Sequence, residues 1–247
     1  GEARFEKVRP QGWYEWEEYA MLKEGYALSS LYGYVFDGVI QKGETYDAQP
    51  TSVEGDPKFK DLDNDGVITM ADRKVIGDGN PDIILGMGNT FRIYDFDFSF
   101  FLDASIGNEL LNLSRVVLED SDRLKASMDR WTMHHPSNSV PRSGWKKDAG
   151  IKYGSYINSR FVEDASYLRL QNIELGYSLP LKKWGNVGKY IQNCRISVGA
   201  QNLFTITQYS GFNPEVSVNG GSAVAQGLDF SSYPAYKMYN VGIKVTF

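Results

Sequence analysis

Residues 94–107, YDFDFSFFLDASIG, place an apolar side chain at nearly every second position. Side chains of a β-strand point alternately to its two faces, so this alternation is typical of a strand with one apolar and one polar face. Phe101 alone falls out of phase. The alternating apolar residues are Tyr94, Phe96, Phe98, Phe100, Leu102, Ala104 and Ile106.

Similar alternation recurs along the chain. Residues 83–93 abut the first strand with almost no loop between them, which predicts a tight hairpin. Further strands are predicted over 167–179, 194–204 and 239–247, and a weaker one near 26–40. The chain is therefore predicted to be all-β and antiparallel, with about six strands.

The predicted connections differ greatly in length. They are a very short hairpin turn, about 50 residues at 108–164, about 14 at 180–193 and about 30 at 205–236. Outer-membrane barrels have short periplasmic turns and long extracellular loops. The strand pattern alone also fits a soluble β-sandwich, but a sandwich rarely carries such long connections on one side only. We therefore expect a segment of a transmembrane β-barrel with long extracellular loops.

A barrel wall gives each strand face its own environment, lipid on one side and the lumen on the other. Aromatic residues at the strand ends, such as Tyr94, Tyr239 and Phe247, fit an interfacial girdle. The residues expected to face lipid are Ile83, Met87, Phe96, Phe98, Phe100, Ile196, Val198, Val241, Ile243 and Val245. Those expected to face the lumen are Asp95, Asp97, Gln201, Asn240 and Lys244.

Composition excludes several classes of protein. The 247 residues include 26 basic and 31 acidic side chains, a formal charge of −5 without a basic cluster, which argues against nucleic-acid binding. The single cysteine, Cys194, forms neither an internal disulfide nor a CxxC metal site. No run of about 18 apolar residues is present, so a transmembrane helix is not expected.

Residues 61–72, DLDNDGVITMAD, have the ligand spacing of an EF-hand loop. Oxygen donors occupy loop positions 1, 3, 5, 9 and 12, Gly66 permits the turn, and Asp72 stands where the usual glutamate would be, as in dockerin-type loops. The predicted Ca²⁺ ligands are Asp61, Asp63, Asp65, the Val67 carbonyl, Thr69 and Asp72. The alternative is an acidic, solvated turn held by hydrogen bonds to its own backbone.

Candidates for catalysis are weak, and no catalytic residue is predicted. His134 and His135 are adjacent, so their side chains do not readily face one site, and a loop surface is expected for them. Asp95, Asp97 and Asp103 are spaced along one strand and fit its polar face better than a catalytic pair.

Three other features receive structural interpretations. Gly86-Met87-Gly88 lies inside a strand pattern and indicates close backbone packing rather than a dinucleotide site. Residues 110–130 predict a helix within a long loop. Loop aromatics, which could stack on sugars or pack the loop, are Trp131, Trp145 and Tyr209.

Several segments together resemble one known family, the SusC/RagA-type TonB-linked outer-membrane proteins, in their C-terminal part. The segments are 60–112 (KDLDNDGVIT through GNELLN), 130–132 (RWT), 159–180 (SRFVEDASYLRLQNIELGYSLP), 198–215 (VGAQNLFTITQYSGFNPE), 233–247 (YPAYKMYNVGIKVTF) and, further upstream, 33–39 (GYVFDGV). The resemblance weakens before Gly25. It implies that residues 26–247 form the C-terminal part of a 22-stranded barrel, with 1–25 as a lead-in of uncertain kind.

The resemblance also implies a function. Such proteins import oligosaccharides or peptides across the outer membrane, driven by TonB and paired with a SusD-like surface lipoprotein. No segment resembles their plug or TonB box, and the chain begins Gly1-Glu2-Ala3, so we expect a piece of a longer protein. Two rivals remain: a secreted, calcium-stabilised β-sandwich that binds carbohydrate, and a glycan-degrading enzyme, for which no carboxylate pair can be named.

The last strand carries one further prediction. Counting back by twos from Phe247 gives Val245, Ile243, Val241 and Tyr239, a row expected to face lipid. We expect this row to act as the signal read by the outer-membrane assembly machinery, to which the strand offers an unpaired edge. The alternative is a soluble sandwich that ends on a strand.

Overall fold

The computed structural model describes residues 2–8, 17–120, 123–144, 157–181, 184–185, 190–218 and 222–247. The first strands are β1 (Arg4–Val8), β2 (Glu17–Leu22), β3 (Ser30–Tyr34), β4 (Phe36–Val39), β5 (Pro57–Phe59) and β6 (Arg73–Asp78). They are followed by β7 (Ile83–Ile93), β8 (Phe96–Ile106), β9 (Glu109–Asn112), the helix α1 (Leu113–Asp120), β10 (Val162–Asp164), β11 (Tyr167–Ser178), β12 (Asn193–Thr207), β13 (Leu228–Asp229) and β14 (Met238–Thr246). Short 3₁₀ helices span Met70–Asp72, Lys125–Asp129 and Ser159–Phe161.

The chain divides into two compact units. The first comprises Gly1–Pro81, Asn108–Ala165 and Tyr209–Ser232, and the second comprises Asp82–Gly107, Ser166–Gln208 and Tyr233–Phe247. Named strands pair antiparallel, except that β13 runs parallel to β9. The all-β, antiparallel prediction is therefore confirmed.

The second unit is one five-stranded antiparallel sheet in the order β14-β12-β11-β8-β7. The predicted hairpin is present, with β7 and β8 joined by the two residues Tyr94 and Asp95. Tyr94 has a positive φ of 55°, as the first central residue of some hairpin turns requires. The predictions that Tyr94 begins the strand and that Asp95 faces the lumen are therefore wrong, because both residues form the turn.

A β-bulge in β11 accounts for an interruption in the alternation of its apolar residues. Leu168 and Leu170 are two apart, as are Ile173 and Leu175, but the two pairs are out of phase. The register shifts between Leu170 and Asn172 against both neighbouring strands. One extra residue thus returns both pairs to the same face of the sheet.

The first unit contains three small sheets: β1-β2-β3-β6, β10-β9-β13 and β4-β5. Its largest hydrophobic cluster includes Tyr19, Leu31, Leu111, Ile157 and Phe161, all at most 1% exposed. The weak strand predicted over 26–40 is divided between β3 and β4, which belong to two of these small sheets. Four of the five β3 residues are buried, so this strand lacks the one-sided exposure of a barrel wall.

The helix predicted over 110–130 is shorter than expected. Leu110 and Leu111 are buried in β9, where they pair with β10, and the helix α1 begins only at Leu113. Asn112 caps it, accepting a hydrogen bond from the backbone N–H of Arg115 at 2.9 Å. No helix in the described ranges is long and apolar enough to cross a bilayer.

Candidate functional sites

The five-stranded sheet has one continuous apolar face. Residues paired across an antiparallel ladder point to the same side, and the register aligns Phe98 with Phe91 and with Leu175. It likewise aligns Val198 with Leu175 and with Val241. All ten residues predicted to face lipid lie on this face: Ile83, Met87, Phe96, Phe98, Phe100, Ile196, Val198, Val241, Ile243 and Val245.

This face is exposed rather than packed in a core. Val241 is 77% exposed and Ile243 70% exposed. Within the second unit the described residues form a single sheet, with no second sheet to cover the apolar side. A soluble β-sandwich would bury these residues between two sheets, so the structure favours the barrel wall over that alternative.

The height of the apolar band matches a bilayer. β8 has eleven residues, and its apolar side runs from Phe96 to Ile106. At about 3.4 Å per residue and a strand tilt of about 40°, it spans roughly 26 Å along the membrane normal. Outer-membrane barrels present an apolar band about 25 Å tall.

The opposite face is polar and carries an ion-paired cluster. Asp97, Gln201, Asn240 and Lys244 lie on it, as predicted. Arg195 bridges two carboxylates on neighbouring strands, with Nε 2.9 Å from Asp97 and a terminal nitrogen 2.6 Å from Glu174. The cluster joins β8, β11 and β12 across the polar face.

Gly176 makes room for this cluster. A Cβ at Gly176 would overlap the guanidinium of Arg195, which lies across the glycine. The sequence places Arg195, Glu174 and Asp97 on polar faces, but only the strand order and register bring the three together. The ion-paired cluster was therefore not predicted, although alternation indicated the face of each member.

The strand ends agree with the predicted alternation of short and long connections. Ile83 pairs with Ile106, and Tyr167 pairs with both Ser105 and Thr207. The connections at 108–164 and 205–236 therefore start from one end of the sheet. The turn at Tyr94 lies at the other end.

The acidic loop brings three of its predicted ligands together. Carboxylate oxygens of Asp61, Asp63 and Asp65 all lie within 4.8 Å of one another. Each carboxylate also accepts a backbone N–H within the loop: Asp61 from Gly66 at 2.9 Å, Asp63 from Asp65 at 3.2 Å and Asp65 from Val67 at 2.8 Å. The loop is thus held in its curved form by its own backbone.

Asp72 has a different environment. Its side chain is fully buried, and its two oxygens accept the backbone N–H groups of Leu62 and Thr69, each at 2.7 Å. Thr69 in turn caps the 3₁₀ helix by accepting from Ala71 at 3.1 Å. Asp72 lies outside the three-carboxylate group, and its place among the ligands, like those of Thr69 and Val67, stays a prediction.

The electrostatics of the loop favour a cation. The N–H of Asp65 acts to lower the pKa of Asp63, but desolvation and the charges of Asp65, Asp72 and Asp61 outweigh it, so this pKa is raised. Two ligands that each lie 2.3–2.6 Å from a Ca²⁺ ion are at most about 5 Å apart. The donor set and spacing of Asp61, Asp63 and Asp65 therefore fit Ca²⁺.

The adjacent histidines and the loop tryptophans are the remaining candidates for a functional site. His134 and His135 lie in an exposed turn in which His135 donates its backbone N–H to Thr132. Trp131 is only 6% exposed and packs the loop rather than offering a face to a ligand. Trp145 lies outside the described residues.

Tyr209 is also a packing residue. It is 5% exposed and donates its hydroxyl to Asp229 at 2.6 Å. Burial, followed by the hydrogen bond and charge of Asp229, raises the pKa of the Tyr209 phenol. Its ring is therefore not available for stacking on a sugar.

Comparison with known proteins finds similar receptors. The chain is 36% identical over 237 residues to the TonB-dependent receptor P3 of Formosa agariphila, an alignment that covers 92% of this chain. It is 27% identical to the TonB-dependent receptor SusC of Bacteroides thetaiotaomicron over 91% of this chain. These relatives are TonB-dependent receptors, and the chain is similar to SusC among them over nearly all of its length. No family model matches it.

Solved structures agree on the fold. The RagAB peptide transporter superposes with a TM-score of 0.70 over 93% of this chain, at 21% identity. The RagAB peptide importer in its open-open state gives 0.69 over 98% of this chain. The barrel-segment prediction is therefore confirmed.

The match covers only part of each relative. The chain spans 23% of the length of receptor P3 and 20% of that of SusC. It likewise covers 24% of the matched RagAB chain. SusC/RagA proteins are outer-membrane β-barrel proteins, and the relatives are named as receptors rather than enzymes.

Proposed function

We propose that the intact protein containing this chain is a TonB-dependent outer-membrane importer of an oligosaccharide or peptide nutrient. The observation that carries the proposal is the single-layer sheet, with an exposed apolar face about as tall as a hydrocarbon core and a polar, ion-paired opposite face. The lipid bilayer covers the first face, and the transport lumen lies at the second.

The free edges of this sheet support a larger barrel. In the described part of the chain, the outer edges of β7 and β14 have no strand partner. Unpaired backbone groups are not tolerated in lipid, so both edges need neighbours. We propose that strands from the rest of the protein supply them and close a barrel of 22 strands.

Partners follow from the same proposal. TonB engages a part of the protein outside this chain. A SusD-like surface lipoprotein covers the extracellular side, to which the connections at 108–164 and 205–236 belong. The sharing of one sheet end by these connections supports their extracellular placement.

Nutrient uptake tests the function directly. Deleting the receptor should abolish growth on one glycan or peptide source, and affinity capture of the intact receptor should recover a surface lipoprotein. Unchanged uptake of every glycan and peptide tried, with no lipoprotein captured, would remove the importer role.

The β14 row is proposed to act in membrane assembly. Tyr239, Val241, Ile243 and Val245 lie on the apolar face of an edge strand, with Phe247 next in the row and 79% exposed. An unpaired strand edge can pair with another chain, and an apolar row on that strand suits a lipid-facing position. The assembly machinery is therefore the proposed partner of this strand.

The loop at 61–72 is proposed to bind one structural Ca²⁺ ion on the extracellular side. Asp61, Asp63 and Asp65 supply carboxylates, and the Val67 carbonyl, Thr69 and Asp72 complete the set. The ion would offset the mutual repulsion of the carboxylates and rigidify the loop.

A further inference from the structure

A polar side chain lies within the apolar face of the sheet, at about mid-height. The row of β7 that includes Met87 and Phe91 points to that face, and Asn89 stands between them in the same row. Asn89 pairs with Phe100 of β8, which is also on the apolar face. Because Phe100 lies roughly 10 Å from the turn end of a band about 26 Å tall, the side-chain amide of Asn89 lies near the membrane midplane.

Within the described residues of the sheet, the side chains around this amide are apolar. Met87 and Phe91 flank it along the strand, and Phe100 lies opposite. Phe98 and Leu102, its diagonal neighbours on β8, are apolar as well. An asparagine amide has two N–H donors and a carbonyl acceptor, and hydrocarbon satisfies none of them. Such a group in the middle of a bilayer therefore needs a hydrogen-bond partner from elsewhere.

The free edge of β7 shows where that partner lies. β7 is an outer strand of the sheet, and its unpaired backbone groups need a further strand in lipid. That strand has a lipid-facing row of its own, and Cβ atoms of residues directly opposite are about 4.5–5.5 Å apart. A polar side chain opposite Asn89 is thus within hydrogen-bond reach. A charge is costly at this depth, so the geometry favours an uncharged partner, such as serine, threonine, asparagine or glutamine.

A polar pair here has a role that the apolar row cannot fill. The two-residue turn at Tyr94 and Asp95 fixes the register of β7 against β8, whereas the chain before β7 runs into the first unit, which contains Gly1–Pro81. On an apolar row, a slip of two residues keeps every side chain on its own face. Such a slip would separate an amide from its partner, so the pair selects one register, as a buried asparagine does in coiled coils.

We propose that Asn89 forms a side-chain hydrogen bond, within the lipid-facing band, with an uncharged polar residue on the strand that adjoins β7 in the intact protein. This pair sets the register of the seam between the two strands. The inference rests on the proposed barrel, because closure of the barrel supplies the adjoining strand.

Urea-induced unfolding of the intact receptor in lipid vesicles tests the pair by the sign of one effect. Asn89→Leu should raise the equilibrium constant for unfolding about tenfold, which corresponds to roughly 1.4 kcal/mol, because the partner loses its hydrogen bond. The control Met87→Leu, in the same row, should change the constant much less. If Asn89 simply faced lipid, leucine would be the better side chain, so an unchanged or more stable Asn89→Leu receptor would overturn the proposal.

Disulfide crosslinking locates the partner. In a receptor without other cysteines, which includes Cys194→Ser, Asn89→Cys is combined with single cysteines along the lipid-facing row of the adjoining strand. The disulfide should form fastest at a position whose natural residue is polar and uncharged. Replacing that residue by leucine should destabilise the native receptor but not the Asn89→Leu receptor. Fastest crosslinking opposite an apolar residue, or only between two receptor molecules, would contradict the pair.

Phe91→Cys is the control for the barrel itself. Because Phe91 is on the same face as Asn89, its disulfide should form with the adjoining strand two residues away from the Asn89 partner. Crosslinking from Phe91→Cys, together with no loss of stability in Asn89→Leu, rejects the amide pair alone. No crosslink from either position rejects the proposed closure of the barrel.

Discussion

Arginine substitution along β8 provides a depth-graded test of the lipid-facing assignment. Counting from Phe96 at about 3.4 Å per residue and a tilt of about 40°, Phe98 lies roughly 5 Å and Phe100 roughly 10 Å above the turn end of a band about 26 Å tall. Of Phe96, Phe98 and Phe100, the last is thus nearest the midplane. Phe100→Arg should destabilise the folded barrel by about 2–4 kcal/mol, Phe98→Arg by less, and Phe96→Arg by about 0–1 kcal/mol.

Urea-induced unfolding of the intact receptor in lipid vesicles measures these differences. Phe98 and Phe100 stack with Phe91, with ring centroids 6.4 and 6.3 Å apart, so leucine variants at each position separate the lost ring contact from the added charge. Ser99→Arg, on the polar face, should cost much less than Phe100→Arg. Equal costs at Ser99 and Phe100, or no dependence on depth, would refute the reasoning.

Three other predictions concern separate features. Calorimetry of the chelated receptor should detect one Ca²⁺ site, and Asp61→Asn should weaken Ca²⁺ binding about tenfold. The Ca²⁺ affinity should fall with falling pH, because the raised pKa of Asp63 favours the proton over the ion. The absence of any heat of Ca²⁺ binding would contradict the proposed site. Gly176→Ala should lower the free energy of unfolding in vesicles by about 1–3 kcal/mol, because its Cβ displaces Arg195. The control Gly86→Ala should lower it little, because its Cβ meets Phe101 at an ordinary 3.4 Å. Equal effects would contradict the ion-paired cluster. Phe247→Ala should leave synthesis of the receptor unchanged and lower its amount in outer-membrane fractions. Normal amounts there would contradict the assembly role of β14.

The sequence was most informative where side chains alternate in long runs. β7, β8, β12 and β14 and their two faces follow from a period of two, because each face meets one environment along its whole length. The same rule failed at Asp95, where the hairpin turn takes the residue out of the strand. It also gave no account of Phe101, whose ring packs against Gly86 and Gly88 in the neighbouring strand.

The small sheets of the first unit could not be predicted in this way. Strands such as β3 are buried on both sides, and β13 has only two residues, so neither carries an alternating signal. Of the acidic loop, spacing predicted that Asp61, Asp63 and Asp65 converge. Spacing did not reveal that Asp72 is buried and bonded to two backbone amides, since that depends on how the loop closes.

Spin-label accessibility along β8 tests the central claim most directly. Cys194 is the only cysteine of this chain, so in a receptor free of other cysteines a Cys194→Ser background allows single labels at each position from Phe96 to Ile106. In vesicles, the account predicts that collision with oxygen peaks at even-numbered positions and collision with a water-soluble nickel chelate at odd-numbered ones. Equal accessibility at both sets, or even-numbered labels shielded from both reagents as in a protein core, would contradict a membrane wall.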